Sequence, residues 1–295
     1  MFVPFFPKVK DYIKTKYNHT ISPLYETYYK KMNPDANCLN TTERKENIVI
    51  SLTSYPARFS TLDLCIKSIF NQSVKADKIV LYLDDFVLDD EVPRKVKALC
   101  KNGLTIKKIP YDLRSHTKYF FAMQEYPDSI IITFDDDVIY RKNTVAYLLN
   151  SYLKYPKYIS AMRVHKITCS KNGAATPYEN WKKEYKKITV PSFLLCATGV
   201  GGVLYPPHVL PKDAFDIEAI KKYCYKADDI WLKFMELKNA VPVVWKKTRH
   251  VHPVEIALHR DTGLNLENVN KNQNDTYINN MEHFTGIRLS DWNSV

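Results

Sequence analysis

The sequence predicts an α/β domain with a mainly parallel sheet flanked by helices. Three observations carry this. Short apolar runs alternate with helical patterns from residue 47 onward. The first such runs are near-continuously apolar, as strands buried on both faces must be. The chain, at 295 residues with 45% hydrophobic and 25% charged residues, is long enough to bury a large core. Composition excludes disordered, collagen-like, coiled-coil and disulfide-scaffold classes.

The elements follow in order. Ile48–Leu52 reads as the first strand and TSYPARF after it as a loop; Thr61–Phe70 has helical spacing with Ser60 or Thr61 placed to cap it. Lys78–Leu83 is the second strand, Glu91–Lys101 a helix, Leu104–Ile109 the third strand, Lys118–Tyr126 a helix and Ser129–Phe134 the fourth strand. Ile188–Pro207 is the longest uncharged run, but Pro191, Gly199, Gly201 and Gly202 break it, so it reads as a buried strand and loop rather than a membrane span. A helix starting after Asp228-Asp229 (Ile230, Phe234, Leu237) and a strand Val241–Trp245 complete the pattern. Ligands of such sheets bind beyond the carboxyl ends of the strands, which makes the first half a nucleotide-binding type of domain.

Residues 1–46 stand apart as a Tyr/Lys-rich helical extension, packed on the core or lying on a membrane surface. The start lacks a signal-peptide apolar region, and no transmembrane helix is expected. Six scattered cysteines without a C-x-x-C pair argue against structural zinc and suit reduced core thiols in a cytosol. The net charge of +11 fits either solvated lysine faces, as WKKEYKK (181–187) reads, or attraction to a nucleotide phosphate, nucleic acid or an anionic membrane leaflet.

The chemistry concentrates at TFDDDVIY. The fourth strand delivers Asp135, Asp136 and Asp137 at its carboxyl end, with Asp135 and Asp137 on one side of an extended chain and Asp136 on the other. Adjacent carboxylates repel unless a cation or donors neutralise them, and oxygen-only ligands select Mg²⁺ or Mn²⁺; the bland alternative is an acidic turn before a helix. Converging on the same edge are Ser54, Tyr55 and Arg58, suited to stack on a base and meet a diphosphate, and Lys118, suited to neutralise phosphate unless simply exposed. Gly199, Gly201 and Gly202 cluster in a chain with only 7 glycines. Of Asp228 and Asp229, one can cap its helix while the other projects into the cleft. His250 or His252 can complete a metal shell or bind phosphate.

Taken in order, SLTSYPARF, TFDDDVIY, TGVGGVLYPPHVLP and DDIWLKFMELKNAVPV resemble glycosyltransferases of the GT-A fold, over roughly residues 47–250. More narrowly, they are similar to bacterial capsule α-N-acetylglucosaminyltransferases of the heparosan type and to the GT-A domain of animal exostosin-like enzymes. The resemblance implies a Rossmann-like GT-A catalytic domain over residues 47–258 and an acceptor-side tail over 259–295. It implies a metal-dependent transfer of GlcNAc, Gal or Glc from a UDP-sugar to a glycan or lipid-linked acceptor, in capsule or lipopolysaccharide synthesis at the cytoplasmic face of a bacterial membrane. Carried over, Thr53, Tyr55 and Arg58 lie by the uridine, Lys118 contacts nucleotide or diphosphate, and Asp135 and Asp136 face ribose and donor sugar. Asp137 ligates Mn²⁺ or Mg²⁺; Gly201 and Gly202 border the acceptor and donor sugar; Asp229, beside Asp228, is the late cleft carboxylate, which binds donor or acceptor hydroxyls and can act as general base. Read from its place after the last strand rather than from the resemblance, His252 is the candidate second metal ligand. Two other classes compete: a nucleotidyltransferase or two-metal phosphoryl-transfer enzyme, which lacks a phosphate-cradling Gly loop here, and a basic nucleic-acid-binding protein, which lacks a recognisable module. No nucleic-acid partner is expected.

Overall fold

A computed structural model describes residues 20–171, 173–248, 252–259 and 273–292. Helix α1 (20–31) precedes strand β1 (Ile48–Thr53), helix α2 (Leu62–Phe70), β2 (Lys78–Asp84), a short α3 (Arg94–Lys97), β3 (Leu104–Ile109) and α4 (Thr117–Glu125). Then come β4 (Ile130–Thr133), β5 (Val138–Ile139), α5 (Thr144–Lys154), β6 (Ile159–Ala161), β7 (Val164–Lys166), β8 (Leu195–Ala197) and β9 (Val203–Tyr205). The chain closes with α6 (Ile217–Tyr223), α7 (Asp228–Lys238), β10 (Val243–Trp245), β11 (Val254–Glu255) and α8 (Gln273–Thr285).

Seven strands form the central sheet in the order β10-β6-β9-β4-β1-β2-β3. All neighbours in it are parallel except at β9, which runs antiparallel to both β4 and β6. The alternation within β1 explains how it is sandwiched. Ile48, Ile50 and Leu52 join the core under α2 and α5, whereas Val49 faces the α4 side. Each such fully buried aliphatic side chain contributes about 1.5–3 kcal/mol. Ser51 on the second face donates to the Lys118 carbonyl, which ties α4 to the centre of the sheet. A second large core, built on Tyr119, Phe120, Trp231, Phe234 and Met281, packs α4, α6, α7 and α8 together.

Several boundaries differ from expectation for identifiable reasons. The predicted helix Glu91–Lys101 begins only after Pro93 and passes into a 3₁₀ turn, Ala98–Asn102, because proline tolerates only the first turn of a helix. The uncharged run at 188–207 folds as β8, a glycine turn and β9. Helix α1 packs on the body: Tyr29 is buried, Ser22 Oγ donates to the Glu255 carbonyl, and Glu26 accepts from the Ala257 N–H. Of its apolar residues, Leu24 and Tyr28 stay exposed. Residues 1–19, Arg249 and His250 lie outside the described residues. Among the described residues no helix is long and apolar enough to cross a membrane. Cys38, Cys65, Cys196 and Cys224 are buried and none of the six cysteines is in a disulfide.

Candidate active site

The carboxyl ends of β1, β2 and β4 open into a cavity of about 620 Å³. Its floor is the acidic turn after β4. Phe134 stacks on Tyr140 at 3.8 Å between ring centres, and the Tyr140 hydroxyl accepts the Asp135 N–H at 2.8 Å, which pins the turn to the core. The three carboxylates then diverge to three different partners. Asp135 Oδ1 meets Lys118 Nζ at 2.7 Å, Asp136 Oδ2 accepts from Ser54 Oγ at 2.5 Å, and Asp137 Oδ2 lies 3.3 Å from Arg58 Nη2. The second oxygen of Asp137, Oδ1, is buried with no hydrogen-bond partner.

Lys118 is not an exposed lysine. It is buried, and it pairs with Asp228 Oδ2 at 2.9 Å as well as with Asp135. Asp228 and Asp229 open α7, where the helix dipole favours negative charge, and the N-cap position is Ala227. The expectation that one of the two aspartates caps the helix is therefore corrected: both side chains line the cavity. Asp229 Oδ1 accepts the Gly199 N–H at 3.0 Å. A Cβ at Gly199 would stand 2.6 Å from Lys118 Nζ and 3.1 Å from Asp135 Oδ1, so a larger residue there would push on the Lys118–Asp135 pair.

The glycines are the clearest displacement from the sequence reading. Gly199 and Val200 line the cavity, whereas Gly201 and Gly202 sit behind it. Gly201 packs on the backbone of Arg163, and Gly202, at φ +89°, lies against Phe134. Both shape the wall through packing and present nothing to the cavity. Thr53 and Tyr55 line the mouth, Tyr55 with its ring exposed and its hydroxyl accepting from Arg58 Nε at 3.3 Å. Arg58, expected to meet a diphosphate, is turned inward onto Asp137. His252 reaches the cavity, but its Nε2 faces Glu184 Oε2 at 3.1 Å, so the expected pairing of His252 with Asp137 on a metal is not assembled. Among the described residues no three His, Cys, Asp or Glu side chains converge in a metal-holding group.

A family model, glycosyl transferase family 2, matches residues 50–202, from β1 through the acidic turn to the glycine turn. The chain belongs to glycosyl transferase family 2. It is an enzyme, a glycosyltransferase, and its family uses nucleotide-sugar donors and glycan acceptors. The helix bearing Asp228 and Asp229 lies beyond the matched segment, so those two residues stand on geometry alone. No curated protein matches the chain. Among solved structures, a mannosyltransferase from Pyrobaculum calidifontis in complex with GDP-Man and Mn²⁺ is 14% identical over 90% of this chain and 72% of that one, with a TM-score of 0.49. A CMP:2-keto-3-deoxy-manno-octonic acid synthetase complexed with CTP is 11% identical over 68% of this chain and 89% of that one, with a TM-score of 0.42.

Crowding sets the electrostatics of this glycosyltransferase. Five carboxylates, Asp135, Asp136, Asp137, Asp228 and Asp229, share the cavity floor with two buried cations, Lys118 and Arg58. Burial, then repulsion from Asp137, pushes Asp136 up to about 7; burial, then Asp135, raises Asp137 to about 6. Burial, then Asp228, lifts Asp229 to about 8. Asp228 moves the other way: burial opposes its charge, but Lys118 and His116 outweigh it and hold its carboxyl below the ordinary value. The net negative excess is what a divalent cation would neutralise.

Further lining residues escaped the sequence reading. Asp84, at the carboxyl end of β2, is raised to about 6 by burial and then by Asp112, and it shares the cavity with Asp112 and Arg114. Its signal was the same as that of Asp135, an acid ending a buried parallel strand. Arg163, His165, Tyr178, Lys183 and Asn274 also line the cavity. Lys183 comes from the segment 181–187 that reads as a solvated lysine face, and within that segment Trp181 is in fact buried.

Proposed function

We propose that this family 2 enzyme transfers a sugar, GlcNAc, Gal or Glc, from a UDP-sugar to a glycan or lipid-linked acceptor in bacterial surface polysaccharide synthesis. The observation that carries the reading is one cavity in which the Asp135–Asp137 turn faces Asp229 across Lys118. Tyr55 at the mouth offers a ring for the base, with Thr53 beside it, and Asp135 and Asp136 face the ribose and sugar.

The residues fit a divalent ion, Mn²⁺ or Mg²⁺. Asp137 holds an unpartnered buried oxygen toward the cavity, and carboxylates outnumber cations on the floor. Asp137, supported by Asp135, would hold the ion, with donor phosphates and water completing the shell, as is usual for such ions. His252 remains with Glu184. Once bound, the ion stabilises negative charge developing on the departing diphosphate.

The protein's own groups do the rest. Lys118 keeps Asp228 ionised, pairs with Asp135 and places positive charge beside the leaving group. The acceptor oxygen attacks the anomeric carbon, the bond from that carbon to the diphosphate oxygen breaks, and the acceptor proton passes to Asp229. A carboxylate whose pKa is lifted to about 8 is a stronger base than an exposed aspartate and suits that step. This role makes the transfer inverting, whereas the narrower heparosan-type resemblance implies a front-face, retaining route; the anomer of the product decides between them.

Location follows the chemistry of a lipid-linked acceptor. The basic charge of +11 and the exposed Leu24 and Tyr28 of α1 favour a peripheral site on the inner face of an anionic membrane. The test is UDP release from UDP-GlcNAc, UDP-Gal and UDP-Glc with Mn²⁺, with the product anomer read by NMR. Release from one donor, lost on chelation, supports the proposal. No release from any UDP-sugar, with release from another nucleotide sugar, overturns the donor assignment.

A further inference from the structure

Behind the acidic turn, outside the cavity lining, stand Tyr140 and two residues of α2, Cys65 and Ser68. The ladder of β4 onto β1 ends at Phe134, whose N–H donates to the Ser51 carbonyl at 3.0 Å. Past that point side chains take over both backbone groups of Asp135. Its N–H donates to Tyr140 Oη at 2.8 Å, and its carbonyl accepts from Cys65 Sγ at 3.3 Å. The Tyr140 hydroxyl, having accepted from Asp135, directs its own proton back to the Asp135 carbonyl at 3.5 Å.

Tyr140 is itself fixed from two directions. Its N–H donates to Ser68 Oγ at 2.9 Å, and Ser68 Oγ donates to the Cys65 carbonyl at 2.6 Å, so one turn of α2 holds both arms of the clamp. Its ring stacks on Phe134, and Phe134 in turn lies against Gly202, where a Cβ would stand 2.5 Å from the ring. Phe134, Tyr140, Cys65 and Ser68 are all fully buried.

A buried N–H needs a partner, and that alone would explain one bond from Asp135. The clamp does more, because Asp135 opens the run of three carboxylates that diverge to Lys118, Ser54 and Arg58. Adjacent carboxylates repel, so a turn free to rotate at Asp135 would spread them apart. Asp137 lies two residues on, and its buried Oδ1 keeps its aim only while that backbone is fixed. Groups that orient metal ligands without touching the ion govern affinity in this way.

We infer that Tyr140 is a positioning residue for the cation site: with Cys65 and Ser68 it sets the backbone from which Asp137 presents its oxygens. It touches neither ion nor substrate. The inference rests on the reading of Asp137 as the cation's ligand.

The experiment is Mn²⁺ titration by calorimetry on the full chain, with melting midpoints and near-ultraviolet circular dichroism read on the same samples. Tyr140→Phe keeps the ring and its stack and removes only the hydroxyl. The expected result is Mn²⁺ affinity weaker by about tenfold or more in a folded protein, the loss typical of removing a metal ligand's outer partner. Cys65→Ala, which removes the donor to the Asp135 carbonyl, weakens binding in the same direction and decides the question if Tyr140→Phe does not fold. Tyr82→Phe removes a hydroxyl bonded to Glu125, away from the cavity, and leaves Mn²⁺ affinity unchanged whatever it does to the midpoint. A folded Tyr140→Phe, or in its absence a folded Cys65→Ala, that binds Mn²⁺ as tightly as the wild type overturns the inference alone. An equal loss in Tyr82→Phe does the same, since it would mark a general effect of stability. A wild type that binds no Mn²⁺ overturns the cation reading itself, and the inference with it.

Discussion

Replacing Lys118 with methionine is the sharpest test of how the cavity is built. The ammonium is buried, 2.7 Å from Asp135 and 2.9 Å from Asp228, and its charge also acts on Asp229. Methionine keeps most of the volume and none of the charge, so carboxylates buried around it lose their partner. Breaking a buried pair from one side costs about 3–5 kcal/mol. At about 2–4 °C per kcal/mol, the melting midpoint falls by roughly 6–20 °C. The pH dependence separates charge from packing. In the wild type Asp228 has a folded pKa below its unfolded value, so its stabilisation persists at pH 5 and is lost only at lower pH. Without Lys118 the carboxylates it lowers, Asp228, Asp229 and Asp137, all rise, the folded variant binds extra protons, and its deficit shrinks as pH falls. Urea denaturation of both proteins at pH 8 and pH 5 measures this. A deficit below about 1 kcal/mol at both pH values, the size of an exposed pair, refutes the reasoning. So does a deficit that grows at pH 5.

Four further outcomes follow. Asp137→Ala lowers metal-dependent turnover by about 10²-fold or more while circular dichroism stays native; full activity removes Asp137 from the metal site. Because Asp136 and Asp137 are raised to about 7 and about 6, and only ionised carboxylates bind a cation, Mn²⁺ affinity measured by calorimetry increases from pH 5 to pH 7 and then levels; a flat profile contradicts it. In α7 the Lys233–Glu236 pair, 3.3 Å apart, is buried, and burial raises Glu236 to about 7, so this carboxyl costs stability progressively as pH climbs from 4.5 to 7. Glu236→Gln should destabilise by about 3 kcal/mol at pH 8, whereas Lys233→Met with Glu236→Leu should be near neutral, a contrast that urea midpoints resolve. Gly202→Ala sets a Cβ 2.5 Å from Phe134, a lining residue, at φ +89° and should cost more than about 1–2 kcal/mol; an unchanged midpoint would show that the turn relaxes freely.

The half of the fold before Asp135 was readable because β1, β2 and β4 are near-continuous apolar runs that end at a polar edge. β1 to β4 lie within a residue or two of expectation, and with them the acidic turn. The second half was not. β6 to β9 are three residues each, too short to show a period, and the antiparallel entry of β9 between β4 and β6 depends on pairing that no local pattern encodes. The site divides in the same way. Asp135–Asp137, Asp228 and Asp229 announced themselves as acids at element ends. Arg58 and Lys118 were legible as cations of that edge but not as buried partners of Asp137, Asp135 and Asp228, and Lys183 was not legible at all, because lysine and arginine are exposed by default and only tertiary partners reveal burial. The shift from Gly201 and Gly202 to Gly199 has the same cause: glycine clustering marks a tight turn but cannot say which residue of it meets the cavity.

The central claim, a nucleotide site completed by a cation at Asp137, is tested most directly by melting the protein with UDP, with and without Mn²⁺. At a hundred times its dissociation constant a ligand adds about 2.7 kcal/mol of stability. The account predicts a raised midpoint with UDP and Mn²⁺ together, little with either alone, and none in Asp137→Asn. An equal rise with UDP in the absence of Mn²⁺, or no rise with any nucleoside diphosphate, would contradict it.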